Sequence, residues 1–251
     1  MGVPPPILDL ARTARRVAVL TGAGMSAESG VPTFRDAQTG LWENVDATAL
    51  ATPEAWEDDP AKVWAWYQWR VALVRGVHPN AGHRALADWG HTARVQIVTQ
   101  NVDDLHERAG SEEVVHLHGS LFSPRCTRCG RPVELPDPPR DALARLEPPS
   151  CPACGDDVRP GVVWFGEMLP QEPWEIATGS VRDAELLVVV GTSGVVYPAA
   201  GLPALARSHG VPVVEIDPRE TDLGDRVDHS WRTTAAVGLP ALVEALEHGR
   251  P

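Results

Sequence analysis

Short aliphatic runs recur along the chain, separated by longer stretches of mixed polarity. Residues 17–21, 94–99, 185–190 and 211–216 are dominated by Val, Ile and Leu, and several of these runs are apolar enough to be strands buried on both faces. A shorter strand is expected over 114–117. Between them, helices are predicted at 7–16, 61–75, 80–90, 101–109, 198–209 and 239–248; the stretch 61–75 contains neither Gly nor Pro. A further helix is expected to start near Met25 and stop before Pro32. Strands alternating with helices imply an α/β fold with a parallel, doubly wound sheet.

Two regions break this rhythm. Residues 36–60, with Pro53, Pro60 and many acidic positions, read as loops and short helices. Residues 122–160 carry all four cysteines and many prolines with little periodicity, the mark of a small inserted module. Cys126 and Cys129 form one C-x2-C knuckle and Cys151 and Cys154 another, 21 residues apart. Four thiolates so arranged make a closed tetrahedral Zn2+ site with no position left for water, so the metal is structural. Gly130 and Gly155 directly follow the knuckles and are expected to let backbone amides turn toward the sulfurs. A redox pair or disulfides are the alternative use of these cysteines.

Composition narrows the partners. The chain has 251 residues, 43% of them hydrophobic, and a formal net charge of -12. Length and apolar content support one large domain plus an insertion. The acidic balance disfavours direct nucleic-acid binding, which needs a basic face. No apolar run approaches the roughly 20 residues needed to span a bilayer, and the opening residues lack a basic segment followed by an apolar one. The expectation is a cytoplasmic protein with no membrane association, monomeric or weakly oligomeric.

The chemistry-bearing residues cluster where the predicted strands end. Gly22, Ala23 and Gly24 follow the first strand; Gln100, Asn101 and Asp103 follow the second; His116, Leu117, His118 and Gly119 close the third; Gly191, Thr192 and Ser193 follow the run at 185–190. In an open α/β sheet the ligand crevice lies beyond the carboxyl ends of the strands, so these segments should converge. Gly22, Gly24 and Gly30 give G-x-G-x5-G and not the usual dinucleotide fingerprint, so the turn alone is a weak sign of phosphate binding. His116 and His118 alternate along a strand, so one of them should face the cleft.

Six motifs in order sharpen the picture: Gly-Ala-Gly-Met-Ser-Ala-Glu-Ser-Gly-Val-Pro-Thr-Phe-Arg from Gly22 to Arg35, Thr-Gln-Asn-Val-Asp from Thr99, His-Leu-His-Gly from His116, the paired knuckles, Val-Val-Trp-Phe-Gly-Glu from Val162, and Gly-Thr-Ser from Gly191. From about residue 12 onward the chain resembles the sirtuins, NAD-dependent protein lysine deacylases. The resemblance implies a Rossmann-type large domain built from residues 1–35, 80–121 and 161–251, with a small domain made of a helical insertion, 36–79, and a zinc-ribbon module, 122–160. NAD and an acyl-lysine protein would meet between them, giving nicotinamide and O-acyl-ADP-ribose.

By the same resemblance, His118 is the general base, with Asn101 and Asp103 in the catalytic set. Gly22, Ala23, Gly24, Ser26, Glu28, Gln100, Gly191, Thr192, Ser193, Glu215, Asp217 and Ala235 complete the cofactor site, the pyrophosphate being helped by the helix that follows the glycine turn. Phe34 and Arg35 would close over NAD. The peptide is expected as an added strand between Val163, Trp164, Phe165, Gly166 and Glu167 on one side and the loop Gly194, Val195, Val196 and Tyr197 on the other. Sirtuins commonly carry Asn where Asp217 stands; a carboxylate there should favour NAD over NADP, or else merely cap the turn at Pro218. ADP-ribosyl transfer from the same site, or a non-catalytic NAD- or zinc-dependent binding role, are the competing functions.

Tyr67 and Arg70 share a face of the helix over 61–75. A hydroxyl beside a guanidinium in an apolar tunnel is a carboxylate receptor. The pair resembles that of the sirtuin branch removing succinyl, malonyl and glutaryl groups, and Ala51 is small enough to keep the pocket wide. The alternative places both residues on an exposed amphipathic face. Trp64, Trp66 and Trp69 are expected to pack the helix onto the fold.

Overall fold

The computed structural model describes residues 2–33, 40–43 and 45–248. Its strands are β1 (Arg16–Thr21), β2 (Arg94–Thr99), β3 (Val114–His116), β4 (Arg125–Cys126), β5 (Val158–Arg159), β6 (Leu186–Val190), β7 (Val213–Ile216) and β8 (His229–Trp231). Six form one parallel sheet in the order β3-β2-β1-β6-β7-β8. The chain leaves β1 toward one edge and later returns to build the other. The switch of direction therefore falls between β1 and β6, where such sheets open a crevice.

Helices cover both faces: α1 (Pro5–Thr13), α2 (Gly24–Ala27), α3 (Ala47–Leu50), α4 (Pro53–Asp58), α5 (Pro60–Gly76), α6 (Ala81–Gly90), α7 (Leu105–Arg108), α8 (Gln171–Asp183), α9 (Leu202–Ser208) and α10 (Ala235–His248). Alternation along β1 sorts its side chains. Val17 and Val19 join Ile7, Leu86, Trp89 and Leu242 in the layer under α1, α6 and α10, whereas Ala18 and Leu20 join Val181 and Leu202 under α8 and α9. With both faces covered, the runs are continuous in apolar character, as the sequence pattern requires.

A third apolar cluster fuses the two irregular regions. Trp42, Trp56, Trp64 and Trp66 of the helical segment pack with Cys126, Cys151, Val158 and Trp164 of the cysteine region and its exit. Thr52 and Asp59 cap α4 and α5 by accepting from Ala55 N and Lys62 N. Trp64 and Trp66 are buried and Trp69 is packed against the cluster, the structural role expected of them.

Several element boundaries move. The helix expected from Met25 to Pro32 is only the four-residue α2, ended by a turn in which Gly30 has φ +91°. The helix expected over 101–109 shrinks to α7 because the preceding polar residues are held in a side-chain network. α10 starts at Ala235, ahead of residue 239, and keeps Pro240 inside it. Residues 199–201 form a 3-10 turn before α9. α8 and β8 were not anticipated, nor were the two-residue strands β4 and β5 of the cysteine region. α8 buries only Ala177 and Val181, too thin a stripe to show in the pattern, and β8 buries only Trp231.

Candidate functional site

One cavity opens at the carboxyl ends of β1, β2, β3 and β6. Gly22, Ala23, Gly24, Ser26, Gln100, Asn101, Asp103, His118, Gly191, Thr192 and Ser193 all line it. The convergence expected of the strand-end segments is realised.

The glycines bring two backbone turns into contact. A Cβ on Gly24 would lie 2.7 Å from Gly191 Cα, and one on Gly22 would lie 2.7 Å from Thr192 Cβ. Gly191 itself has φ +59°, and its own Cβ would fall 2.4 Å from Met25 N. These glycines let two backbone turns touch, with Gly24 N–H donating to Gly191 O at 2.8 Å. The missing Cβ atoms serve this backbone contact first, and only through it shape the ligand side. The helix that follows the turn, α2, is four residues long.

Beneath the cavity lies a buried polar floor. Ser26 Oγ donates to Asp103 Oδ2 at 2.9 Å and accepts from Asn101 Nδ2 at 3.1 Å. Asn101 Nδ2 also reaches Gly22 O at 3.1 Å, tying β2 to the glycine turn. Gln100 Nε2 donates to Thr192 Oγ1 at 2.9 Å, tying β2 to β6. Burial pushes the Asp103 carboxyl up, opposed by bonds from Leu105 N and Ser26. His83 and His106 pack against each other with their rings tilted by 58° and centroids 4.8 Å apart. Burial lowers both, His83 to about 4, so both are neutral at neutral pH.

The two histidines of the third strand divide as the alternation predicts. His116 turns inward, bonding to Glu107 Oε1 at 2.6 Å and donating from Nδ1 to Asn101 O at 3.0 Å. Burial opposes its charged form, but Glu107 raises its pKa overall. His118 lines the cavity, and its Nδ1 lies 2.9 Å from Gln100 O. A carbonyl only accepts, so Nδ1 carries the proton and Nε2 is the nitrogen available to take one. Burial lowers the His118 pKa, and the Gln100 carbonyl offsets this only in part. The base form therefore persists below the ordinary value near 6.5. We expect the acid limb of kcat/KM to have its midpoint below pH 6.5; a midpoint at or above that value in the pH–rate profile would contradict this environment.

With this geometry established, comparison with known proteins places the chain. The Sir2 family pattern matches residues 22–198. The chain belongs to the Sir2 family. It is 56% identical over 241 residues to NAD-dependent protein deacylase 2 of Corynebacterium efficiens, covering 94% of this chain and 95% of that protein. It is 54% identical over 233 residues to an NAD-dependent protein deacylase of Mycobacterium tuberculosis, covering 92% of this chain and 98% of that protein. A solved Sir2 homologue in complex with NAD superposes with a TM-score of 0.90 at 43% identity, covering 98% of this chain and 94% of that one.

The same cavity of this Sir2-family chain continues to Ala51, Tyr67, Arg70, Val163, Trp164, Phe165 and Gly166. Tyr67 and Arg70 are 2% and 6% exposed, which removes the reading of an exposed amphipathic face. Burial pushes the Tyr67 phenol up and the Arg70 guanidinium down. Arg70 lies over the Trp66 ring at 5.1 Å.

The four cysteine Sγ atoms lie within 4.8 Å of one another, with Cys126–Cys154 at 3.4 Å and Cys129–Cys151 at 3.8 Å. Those separations are too long for disulfides, whose sulfurs bond at about 2.05 Å. They fit the edges of a tetrahedral zinc–thiolate site, about 3.8 Å for Zn–S bonds of about 2.3 Å. The glycines after the knuckles act as expected: Gly130 and Gly155 have φ +69° and +78°, their N–H groups donate to the carbonyls of Cys126 and Cys151, and the Cys129 amide points to the Cys126 sulfur.

Some sequence-predicted site residues are not brought to this cavity. Glu28 accepts from Ala236 N at the start of α10, beside Ala235, which is buried against Gly82. Glu215 is 1% exposed, its oxygens engaged by Thr221, Ser230 and Arg232. Asp217 accepts from Arg219 N, the capping geometry held as its alternative role. Of the expected peptide loop, Val196 and Tyr197 line the cavity, whereas Val195 is 40% exposed and does not. Phe34 and Arg35 lie outside the described residues. Sequence reasoning missed Arg219 as a lining residue; its one signal was a basic side chain beside the strand end at Asp217.

Proposed function

We propose that this chain is an NAD-dependent protein lysine deacylase acting on acidic acyl groups, succinyl and malonyl, as well as acetyl. The observation that carries the reading is a single cavity lined by the glycine turn, by His118 and by the buried Tyr67–Arg70 pair. The naming of its relatives as NAD-dependent protein deacylases and its likeness to a Sir2–NAD complex support the cofactor.

The glycine turn, Gln100, Asn101 and Asp103 would hold NAD, and the Val163–Gly166 segment would hold the acyl-lysine peptide. Bound NAD supplies the ribose carbon that accepts the acyl oxygen as nicotinamide leaves. His118 takes a proton at Nε2 while Gln100 O holds its ring, and the network through Ser26 keeps Asn101 and Asp103 in place. Arg70 and Tyr67 recognise the terminal carboxylate of the acyl chain by charge and hydrogen bond. Cys126, Cys129, Cys151 and Cys154 would hold one structural zinc ion, binding the module that completes the shared tryptophan-rich core.

Mass spectrometry of succinyl-, acetyl- and unmodified-lysine peptides incubated with NAD tests this reading. Acyl loss dependent on NAD is expected for both acylated peptides. Addition of ADP-ribose to peptide without acyl loss would replace it with the transferase alternative, and neither change would leave the binding role.

A further inference from the structure

Between the cysteine module and the acyl end of the cavity runs a chain of contacts that the function above does not use. Arg159 lies in β5, whose preceding residue, Val158, pairs with Cys126. Its guanidinium forks onto Glu167, with Nη1–Oε1 at 2.6 Å and Nη2–Oε2 at 2.9 Å. It also sits over the Trp164 ring, 3.4 Å from the centroid. The same Glu167 carboxylate accepts from Trp164 N at 2.9 Å. One ion pair thus grips Trp164 by both its backbone and its ring face, and Trp56 closes on the ring at 5.6 Å. Arg159 is 9% exposed, so the grip is made away from bulk water.

The Trp164 indole Nε1 meets Tyr67 Oη at 3.1 Å. An indole N–H can only donate, so the Tyr67 oxygen accepts there. Burial holds the phenol protonated. Its proton must then lie on the side of the oxygen away from the indole, and Tyr67 borders the cavity. A hydroxyl free to rotate could present either a proton or a lone pair to an incoming acyl group. Trp164 removes that choice and makes Tyr67 a donor, the form that suits a carboxylate.

We infer that Arg159 is a positioning residue for acyl selection: by clamping Trp164 against Glu167 it aims the Tyr67 hydroxyl proton at an acyl carboxylate. The inference rests on the acidic-acyl reading above and extends it to a side chain outside the cavity.

The test compares two peptides, succinyl-lysine and its uncharged succinamoyl isostere, which differ only in a terminal carboxylate against a carboxamide. Their ratio of kcat/KM is measured for the full chain and for Arg159→Lys, Tyr67→Phe and the double variant. Lysine keeps a cation beside Glu167 but loses the fork and the planar stack. Arg159→Lys is expected to lower the ratio about fivefold and Tyr67→Phe about tenfold, the scale of one hydrogen bond to a charged group. The double variant should match Tyr67→Phe alone, because Arg159 acts through the missing hydroxyl. A ratio unchanged within twofold in Arg159→Lys, or a further drop in the double variant equal to that in the single, overturns the inference. A full-length enzyme that does not favour succinyl over succinamoyl overturns the acidic-acyl reading instead. Should Arg159→Lys lack a cooperative thermal transition, the charge-neutral pair Arg159→Gln with Glu167→Gln takes its place and is read by the same ratios.

Discussion

His118→Ala is expected to lower kcat/KM for NAD-dependent deacylation by about a thousandfold, within the range of a lost general base. Among the described residues the side chain makes one hydrogen bond, to Gln100 O, and it belongs to none of the three apolar clusters. Its loss should therefore be local, leaving the thermal transition close to that of the parent protein. The polar floor through Ser26, Asn101 and Asp103 does not involve it, so NAD binding should also survive. Single-turnover measurement separates the chemical step from binding. Turnover within tenfold of the parent would show that another group takes the proton.

Arg70→Met should raise KM for a succinyl-lysine peptide by roughly ten- to a hundredfold, from a charge-assisted contact worth about 1.5–3 kcal/mol. Acetyl-lysine lacks the carboxylate and should lose far less. The substitution exchanges a buried cation for an apolar chain of similar length, and its thermal transition is measured beside the kinetics. That separates a specificity effect from a folding defect. Equal losses on both peptides would mean that Arg70 supports the cavity wall and reads no charge.

The two substitutions probe two parts of one cavity lining, and the sequence spoke to them unequally. His118 was legible because strand alternation allows one of two histidines to face the crevice, and the structure turns His116 inward onto Glu107. The Tyr67–Arg70 spacing showed a shared helix face but not which way it looked. Only the shared core of the helical segment and the cysteine region, closing over α5, buries that face. Arg159 carried no signal at all. Its partners Glu167 and Trp164 are near in sequence, but the link to Tyr67 spans 97 residues and exists only once both regions are packed.

Local chemistry in the sequence determined most of the sheet's strands, their parallel arrangement, the cysteine knuckles and the polar residues that end β1, β2, β3 and β6. Each follows from short-range patterning, which survives in one dimension because apolar runs and knuckle spacings are properties of neighbouring residues. Tertiary structure alone decided that Gly22 and Gly24 serve contact with Gly191, that Glu215 is consumed by Arg232, and that Glu28 caps α10. It also decided which face of α5 is buried. These depend on which distant segment arrives at a given surface, and a side chain's partners there are set by packing of the whole chain.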